Sequence, residues 1–407
     1  MRVALLTLPG PWGGTQIHTV NLARVLTTRG HSSTIVCIEE TVLRAYRDHC
    51  DDVPVVLLPL PNKLQLMSLW AWWRYFAGRP WDLCVLVKGD VDAGSYKLDI
   101  AARLRFGNYV TVEHLMADAS PKTRRLHFGF IPGLGLWWYR ARLRRFLRSV
   151  GPRRVLCVSD AVRRRLIADY RFPARKAIAV ANGIDVQRFR PDPVQRAVWR
   201  RRWNIAPDAL VLGAVGRFHP RKGYDTALAG FQVLLNEFPE KDLRLVLVGE
   251  GQDEGVLRAR ASQLKPNGRV TFWPFCDRPW EPLAALDVFL MPSLNEGLPL
   301  ALLEAMACGC CPVASAVGGV PEVLESPQLG WLVPAADDPA FAASMVDAVS
   351  RTDDDRRAMS ERGRKHVVDR FDMHTQFGRL ADVIESSTRS MTRTSASQSS
   401  RRWSQAR

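Results

Sequence analysis

Long apolar runs are missing from this 407-residue chain. No stretch reaches the roughly 18 consecutive apolar residues that a membrane-spanning helix needs. Two uncharged stretches come nearest. Phe128 to Tyr139 is 12 residues broken by Pro132 and three Gly, and Ala305 to Val320 is 16 small residues interrupted by Pro312 and three Gly. Met1-Arg2 leads directly into Val3-Ala-Leu-Leu-Thr-Leu8 and then Pro-Gly, which reads as a first strand, not as a signal peptide. The expectation is a cytoplasmic protein, or one held peripherally on the cytosolic face of a membrane. Metal-like cysteine spacing is missing too. Of the eight Cys, only Cys308, Cys310 and Cys311 cluster, in a small-residue run with no His or second Cys pair, and they read as buried thiols of a reducing compartment. Acid is in short supply: 41 Asp+Glu against 57 Lys+Arg leave a net charge of +16. Such a surplus favours polyanionic partners. Much of it lies between Pro121 and Arg175, where fifteen Arg or Lys face two Asp. No nucleic-acid motif or base-stacking module accompanies it, so specific nucleic-acid binding is not expected.

What is present is enough apolar residue, 47%, for real cores, in a chain long enough for two domains. Short apolar runs alternate with helical stretches throughout, the pattern of βα units and parallel sheets. Candidate strands are Val3–Leu8, Thr34–Ile38, Leu83–Val87, Tyr109–Glu113, Val155–Val158 and Ala177–Val180. The pattern restarts with Leu210–Gly216, Leu243–Val248, Val270–Phe272, Leu286–Met291 and Cys311–Ala314. Turn residues cluster from Asn182-Gly-Ile-Asp185 to Pro191-Asp-Pro193, which marks the boundary. The expected parts are domains over residues 1–185 and 186–370, a terminal helix over 371–385 that returns to the first domain, and a tail over 386–407. That tail holds eleven Ser or Thr, five Arg and no acid, and reads as disordered.

Several places are candidates for chemistry. Gly10-Pro-Trp-Gly13-Gly14-Thr-Gln16 joins the first strand to a helix from about Ile17. Glycines there let backbone N–H groups approach a phosphate at a helix N-terminus, although the G-x-G-x-x-G spacing is lacking and a purely structural turn explains the same residues. Gly216-Arg217-Phe-His-Pro-Arg221-Lys222-Gly223 follows the first strand of the second half, where a parallel sheet binds its ligands. Arg217 and Lys222 suit a diphosphate, Arg as a planar fork and Lys as a point charge; a solvated basic loop is the plain alternative. Asn295-Glu296-Gly-Leu-Pro299 then places Glu296 in a strand-end turn, and the helix that follows carries Glu304 among Leu302, Leu303 and Met306. A carboxylate among apolar neighbours needs a partner, and sugar or ribose hydroxyls are suitable donors. Gly318-Gly319 makes a further turn into a helix, and His114 ends the strand Tyr109–Glu113. Asp90-Val-Asp92 has a D-x-D form but stands alone, and no metal is expected.

Gly13-Gly14, Val158-Ser-Asp-Ala-Val162, Asn182-Gly-Ile-Asp185, Gly216-Arg217 with Lys222-Gly223, and Glu296-x7-Glu304 with Gly318-Gly319 occur in this order. Together they resemble the family 4 glycosyltransferases over about residues 1–385. The resemblance implies an α/β GT-B fold, two Rossmann-like domains with a cleft between them, the first on the acceptor side and the second binding the nucleotide sugar. It implies a retaining, metal-independent transferase that needs no cofactor. It also implies roles. Arg217 and Lys222 neutralise the donor diphosphate, Glu296 faces the donor sugar, and Glu304 binds the ribose hydroxyls. Gly14 lies near the phosphates, and Gly297, Leu298 and Leu300 add donor contacts. His114 is a looser match to a cleft histidine near the reacting sugar. The implied partners are a nucleotide-diphosphate sugar and a glycan, lipid-linked or small-molecule acceptor, as in surface polysaccharide or glycolipid synthesis.

Two other readings stand beside this one: a GT-B-fold sugar-nucleotide epimerase, and a polyanion-binding protein that explains the +16 charge by counterion release. The basic segment also suggests a membrane contact. In Leu136-Trp-Trp-Tyr-Arg-Ala-Arg-Leu-Arg-Arg-Phe-Leu147 an aromatic and apolar helix side is flanked by Arg, with Trp70, Trp72 and Trp73 as a second candidate contact. That composition fits a helix in the interface of an anionic membrane; packing of the same side on a sheet is the alternative.

Overall fold

The computed structural model describes residues 1–7, 13–58, 74, 81–90, 99, 102–103, 109–115, 151–266 and 268–404. The apolar runs of the first half form the strands β1 (Arg2–Thr7), β2 (Ser32–Cys37), β3 (Val55–Leu57), β4 (Leu83–Asp90), β5 (Tyr109–Leu115), β6 (Arg154–Cys157) and β7 (Ala177–Ala179). They make one sheet in the order β3-β2-β1-β4-β5-β6-β7, parallel throughout. Val3, Ala4 and Leu5 are fully buried in succession, because helices cover both faces of such a sheet and no residue of a central strand meets water.

The second half repeats the plan with β8 (Leu210–Val215), β9 (Leu243–Val248), β10 (Val270–Trp273), β11 (Val288–Met291), β12 (Cys311–Ser315) and β13 (Trp331–Val333). Their order is β10-β9-β8-β11-β12-β13. The chain begins in the middle, winds outward to β10, then crosses back to β11 on the other side of β8. That reversal is the topological switch point, where loops leave neighbouring strands in diverging directions and open a crevice for a ligand. Phe231, Leu234 and Leu235 of helix Tyr224–Glu237 pack with Phe341 and Met345 of helix Asp338–Ser350 and with Leu245 and Leu247 of β9. Each such buried side chain stabilises the fold by about 1.5–3 kcal/mol relative to exposure.

The chain divides into two units, Met1–Asn182 with His374–Arg407, and Gly183–Met373. The terminal helix Met373–Ser404 belongs with the first unit, tied by Arg29 Nη1 to Asp382 Oδ1 at 2.6 Å and to Glu385 Oε1 at 3.2 Å, and by Arg154 Nη1 to Ser386 Oγ at 2.8 Å. Its backbone runs on through most of the stretch that composition alone reads as a disordered tail. Among the described residues, no helix is long and apolar enough to cross a membrane. Trp70, Trp72, Trp73 and the basic segment Leu136–Leu147 lie outside the described residues.

Candidate functional site

Three loops leave the C-terminal edge of the second sheet from the neighbouring strands β8, β11 and β12. The first, Gly216 to Gly223, contains a 3-10 turn over Pro220–Lys222. Gly223 closes that turn at φ +65°, and a Cβ there would overlap the carbonyl oxygen of Pro292 at the head of the second loop. The Leu294 amide donates to the Arg221 carbonyl at 2.7 Å, which fastens the two loops again. The third loop is fastened to the second in the same manner. The Gly319 amide donates to the Gly297 carbonyl at 2.6 Å, and Gly318, at φ +53°, leaves no room for a Cβ against the Glu296 carbonyl. Backbone contacts thus hold the site, and its side chains are left to meet a ligand.

Seven of the candidate site residues, Arg217, Lys222, Glu296, Gly297, Leu298, Leu300 and Glu304, lie on these loops and the helix that follows. Lys222 Nζ donates to Glu296 Oε1 at 2.7 Å, with the lysine side chain 33% exposed and the glutamate 10%. The Arg217 side chain reaches the surface, and partial desolvation, followed by the nearby Arg221, pulls its pKa down. Leu298 is buried, and Leu300 opens the helix Leu300–Ala307, whose N-terminus carries no side-chain cap. Uncapped first-turn amides point their N–H groups outward and favour an anion. Glu304 stands one turn further along that helix. Glu304 is half-buried by its surface, and desolvation of its carboxyl pushes its pKa up to about 7. No hydrogen bond or ion pair holds Glu304 among the described residues, so a hydroxyl donor would find both its oxygens available.

The other candidates fall in the first unit. Gly14 opens the helix Gly14–Thr28 after β1, three residues earlier than periodicity placed its start. His114 lies near the end of β5, 8% exposed, and its ring meets that of His18 edge-on at a centroid distance of 4.5 Å. His18 is 4% exposed and also contacts Phe377 of the terminal helix, at 4.8 Å. Burial drives the His18 pKa down to about 4, with Asn182 acting the other way. Burial, and then His18, hold His114 well below the ordinary histidine range. Both rings are therefore neutral at pH 7. Elsewhere on these strands, Lys88 Nζ of β4 donates to Asp99 at 2.9 and 3.1 Å, and Tyr109 at the start of β5 donates to Asp99 Oδ1 at 2.8 Å.

Several residues escaped sequence reasoning. His18 was hidden because it sits on a helix whose buried face is partly polar: Gln16, His18 and Thr19 are buried while Ile17 is exposed. Glu250, in the loop after β9, accepts from the Phe275 amide at 3.2 Å, a contact spanning 25 positions that no local pattern signals. Asp90 ends β4, and Asp92 lies outside the described residues. Among the described residues, no group of three or more His, Cys, Asp or Glu is placed to hold a metal ion. Cys308, Cys310 and Cys311 are buried, and burial pushes their thiols up, to about 12 for Cys311.

Comparison with known proteins follows the same division. The family model described as Glycosyltransferase Family 4 matches residues 12–188, and that described as Glycosyl transferases group 1 matches residues 195–366. A D-inositol 3-phosphate glycosyltransferase of Thermobispora bispora is 31% identical over 255 residues, 58% of this chain and 58% of that protein. A GDP-mannose-dependent alpha-(1-6)-phosphatidylinositol monomannoside mannosyltransferase of Mycolicibacterium smegmatis is 34% identical over 215 residues, 50% of this chain and 54% of that protein. The chain thus spans little more than half the length of these relatives. The crystal structure of Anabaena HepE in complex with UDP superposes with a TM-score of 0.76 at 19% identity, over 95% of this chain and 100% of that one. At that identity the likeness concerns the fold. The chain belongs to the family 4 glycosyltransferases, and its two parallel-sheet units are the Rossmann-like domains of the GT-B fold.

Proposed function

We propose that this protein is a retaining glycosyltransferase that moves a sugar from a nucleotide-diphosphate donor to an acceptor bearing hydroxyl groups. The observation that carries the proposal is the Lys222–Glu296 contact at the switch point of the second sheet, with Arg217 on the same loop as Lys222 and Glu304 on the helix that follows Glu296. Departure of a nucleoside diphosphate from an anomeric carbon builds negative charge on the leaving oxygens and positive charge on the sugar. Fixed cations beside the uncapped helix at Leu300 stabilise the first without reorganising at the moment of reaction. Arg217 and Lys222 hold the diphosphate, and Gly297, Leu298 and Leu300 bring backbone to it. Glu296 turns from Lys222 to the donor sugar, and Glu304 accepts from the ribose hydroxyls. In the first unit, the roles assigned by family resemblance are a backbone contact of Gly14 to phosphate or acceptor and a hydrogen-bonding nitrogen of neutral His114 for the reacting sugar. With the departing phosphate taking the acceptor proton, no protein nucleophile is needed, and neither a metal nor another cofactor enters this account.

Relatives named for inositol phosphate and phosphatidylinositol mannoside acceptors support a phosphorylated or lipid-linked acceptor. An acceptor of that kind agrees with the net charge of +16 and with a peripheral contact of the basic segment on an anionic membrane at the cytosolic face. The carboxylates at the site, and the transferase names of the relatives, favour this reading over epimerisation or simple polyanion binding. Turnover of UDP-, GDP- and ADP-sugars with inositol phosphate and phosphatidylinositol vesicles tests the proposal. Nucleoside diphosphate and glycosylated acceptor should form in equal amounts, and Arg217→Ala should lose on the order of a hundredfold or more in turnover. Nucleotide release with no glycosylated product would overturn it.

A further inference from the structure

The loop after β8 carries more basic groups than its acid neighbours balance. Of Arg217, His219, Arg221 and Lys222, only Lys222 has a carboxylate within ion-pair distance among the described residues, that of Glu296. The Arg217 and Arg221 guanidinium groups have no hydrogen-bonded or ion-paired partner among the described residues; with Lys222 they act on His219, and Asp253 acts on it the other way. Burial, and then Arg221, pull the His219 pKa below the ordinary histidine value, so its ring is neutral at pH 7. Its tautomer is fixed by geometry. His219 Nδ1 accepts from the Arg221 amide at 3.1 Å, which caps the Pro220–Lys222 turn and leaves the ring proton on Nε2. A neutral imidazole that accepts at one nitrogen donates at the other. The Arg221 backbone is pinned on both sides, its amide by His219 and its carbonyl by the Leu294 amide at 2.7 Å. A guanidinium is thus carried on a rigid turn beside a fixed N–H donor, at the end of a strand that flanks the switch point.

We propose that His219 Nε2–H and the Arg221 guanidinium form a second phosphoryl-binding position beside Arg217 and Lys222. The inference rests on the assignment of Arg217 and Lys222 to the donor diphosphate. A charged acceptor oxygen paired with a guanidinium and an N–H is the strong class of hydrogen bond, and it relieves the crowding of like charges within the loop. The phosphoryl group belongs either to the donor diphosphate or to a phosphorylated acceptor, and both present the same oxygens.

Calorimetric titration of the full chain with inorganic pyrophosphate, and with inorganic phosphate after saturation by pyrophosphate, separates these sources. His219→Asn keeps an oxygen able to cap the Arg221 amide but removes the Nε2–H donor, and Arg221→Gln removes the charge. If the position serves the donor, each variant binds pyrophosphate about tenfold more weakly than the parent. If it serves an acceptor, pyrophosphate affinity holds, the parent binds phosphate as a second ligand, and each variant loses about tenfold for that ligand. Unchanged binding of both anions in both variants overturns the inference. Arg217→Gln separates this failure from failure of the site itself: if it weakens pyrophosphate while the other two do not, only the second position is lost. If all three bind as the parent does, the diphosphate assignment falls as well.

Discussion

Lys222 and Glu296, 74 positions apart in sequence, meet at 2.7 Å, so the candidate phosphate-binding cation is held by the candidate sugar-facing acid. Under the proposed function, each group occupies the place that a donor takes from the other, and a bound nucleotide sugar separates them, presenting phosphate oxygens to Lys222 and sugar hydroxyls to Glu296.

That exchange gives opposite effects on binding and turnover. Glu296→Gln removes the competing charge, and inorganic pyrophosphate should bind about threefold more tightly, in keeping with the modest strength of a partly exposed ion pair. The same variant should turn over nucleotide sugar more slowly, on the order of a hundredfold, because the acid acts as the sugar gains positive charge. Titration calorimetry beside steady-state kinetics checks both. Weaker pyrophosphate binding would show that Glu296 does not compete for Lys222.

Glu304 makes the stability of the ligand-free protein depend on pH. Burial raises its pKa from 4.5 to about 7, so the folded protein holds this proton more tightly than the unfolded chain does. The stabilisation is fully present below pH 4.5 and is lost as pH rises through 7, at a cost of up to about 3 kcal/mol at pH 8. Glu304→Gln mimics the neutral form. It should unfold at higher denaturant than the parent at pH 8 and like the parent at pH 4.5. It should also raise donor KM, because the Gln side chain is a weaker acceptor for ribose hydroxyls in ground and transition states alike. A variant less stable than the parent at pH 8 would contradict the enclosed, unpaired carboxyl.

Gly318 tests the backbone framework. Its φ of +53° and its close approach to the Glu296 carbonyl make Gly318→Ala destabilising by about 1–3 kcal/mol, with turnover lost by displacement of Glu296. Gly255→Ala is the control: it lies in the helix Glu254–Ala261 with open space around it, and should be neutral or stabilising by up to about 1 kcal/mol. Equal effects of the two substitutions on urea midpoints would remove the third loop from the account.

Much of this site was legible in the sequence because strand ends and glycine turns are local signals. The run Leu210–Gly216 announces β8, and the basic loop behind it must then lie at a sheet edge. Glu296 and Glu304 are placed by one turn and one helix. The edge strands Val55–Leu57 and Trp331–Val333 escaped, since three residues are too few to show a period. The Lys222–Glu296 pair, the edge-on contact of neutral His18 and His114 and the His219 cap also escaped, because they are set by which strands become neighbours or by how a turn closes. The terminal helix was foreseen only to residue 385, since Ser- and Arg-rich composition gives no apolar face to extend it.

The most direct test of the central claim is a thermal-shift panel of UDP-, GDP- and ADP-sugars on the parent chain and on the Arg217→Ala/Lys222→Ala double variant. A ligand at one hundred times its Kd stabilises the folded state by about 2.7 kcal/mol through mass action. The account predicts that at least one nucleotide sugar raises the Tm of the parent and leaves the double variant unmoved. No shift with any of the three, or the same shift in the double variant, would contradict a nucleotide-sugar site at the β8–β11 switch point.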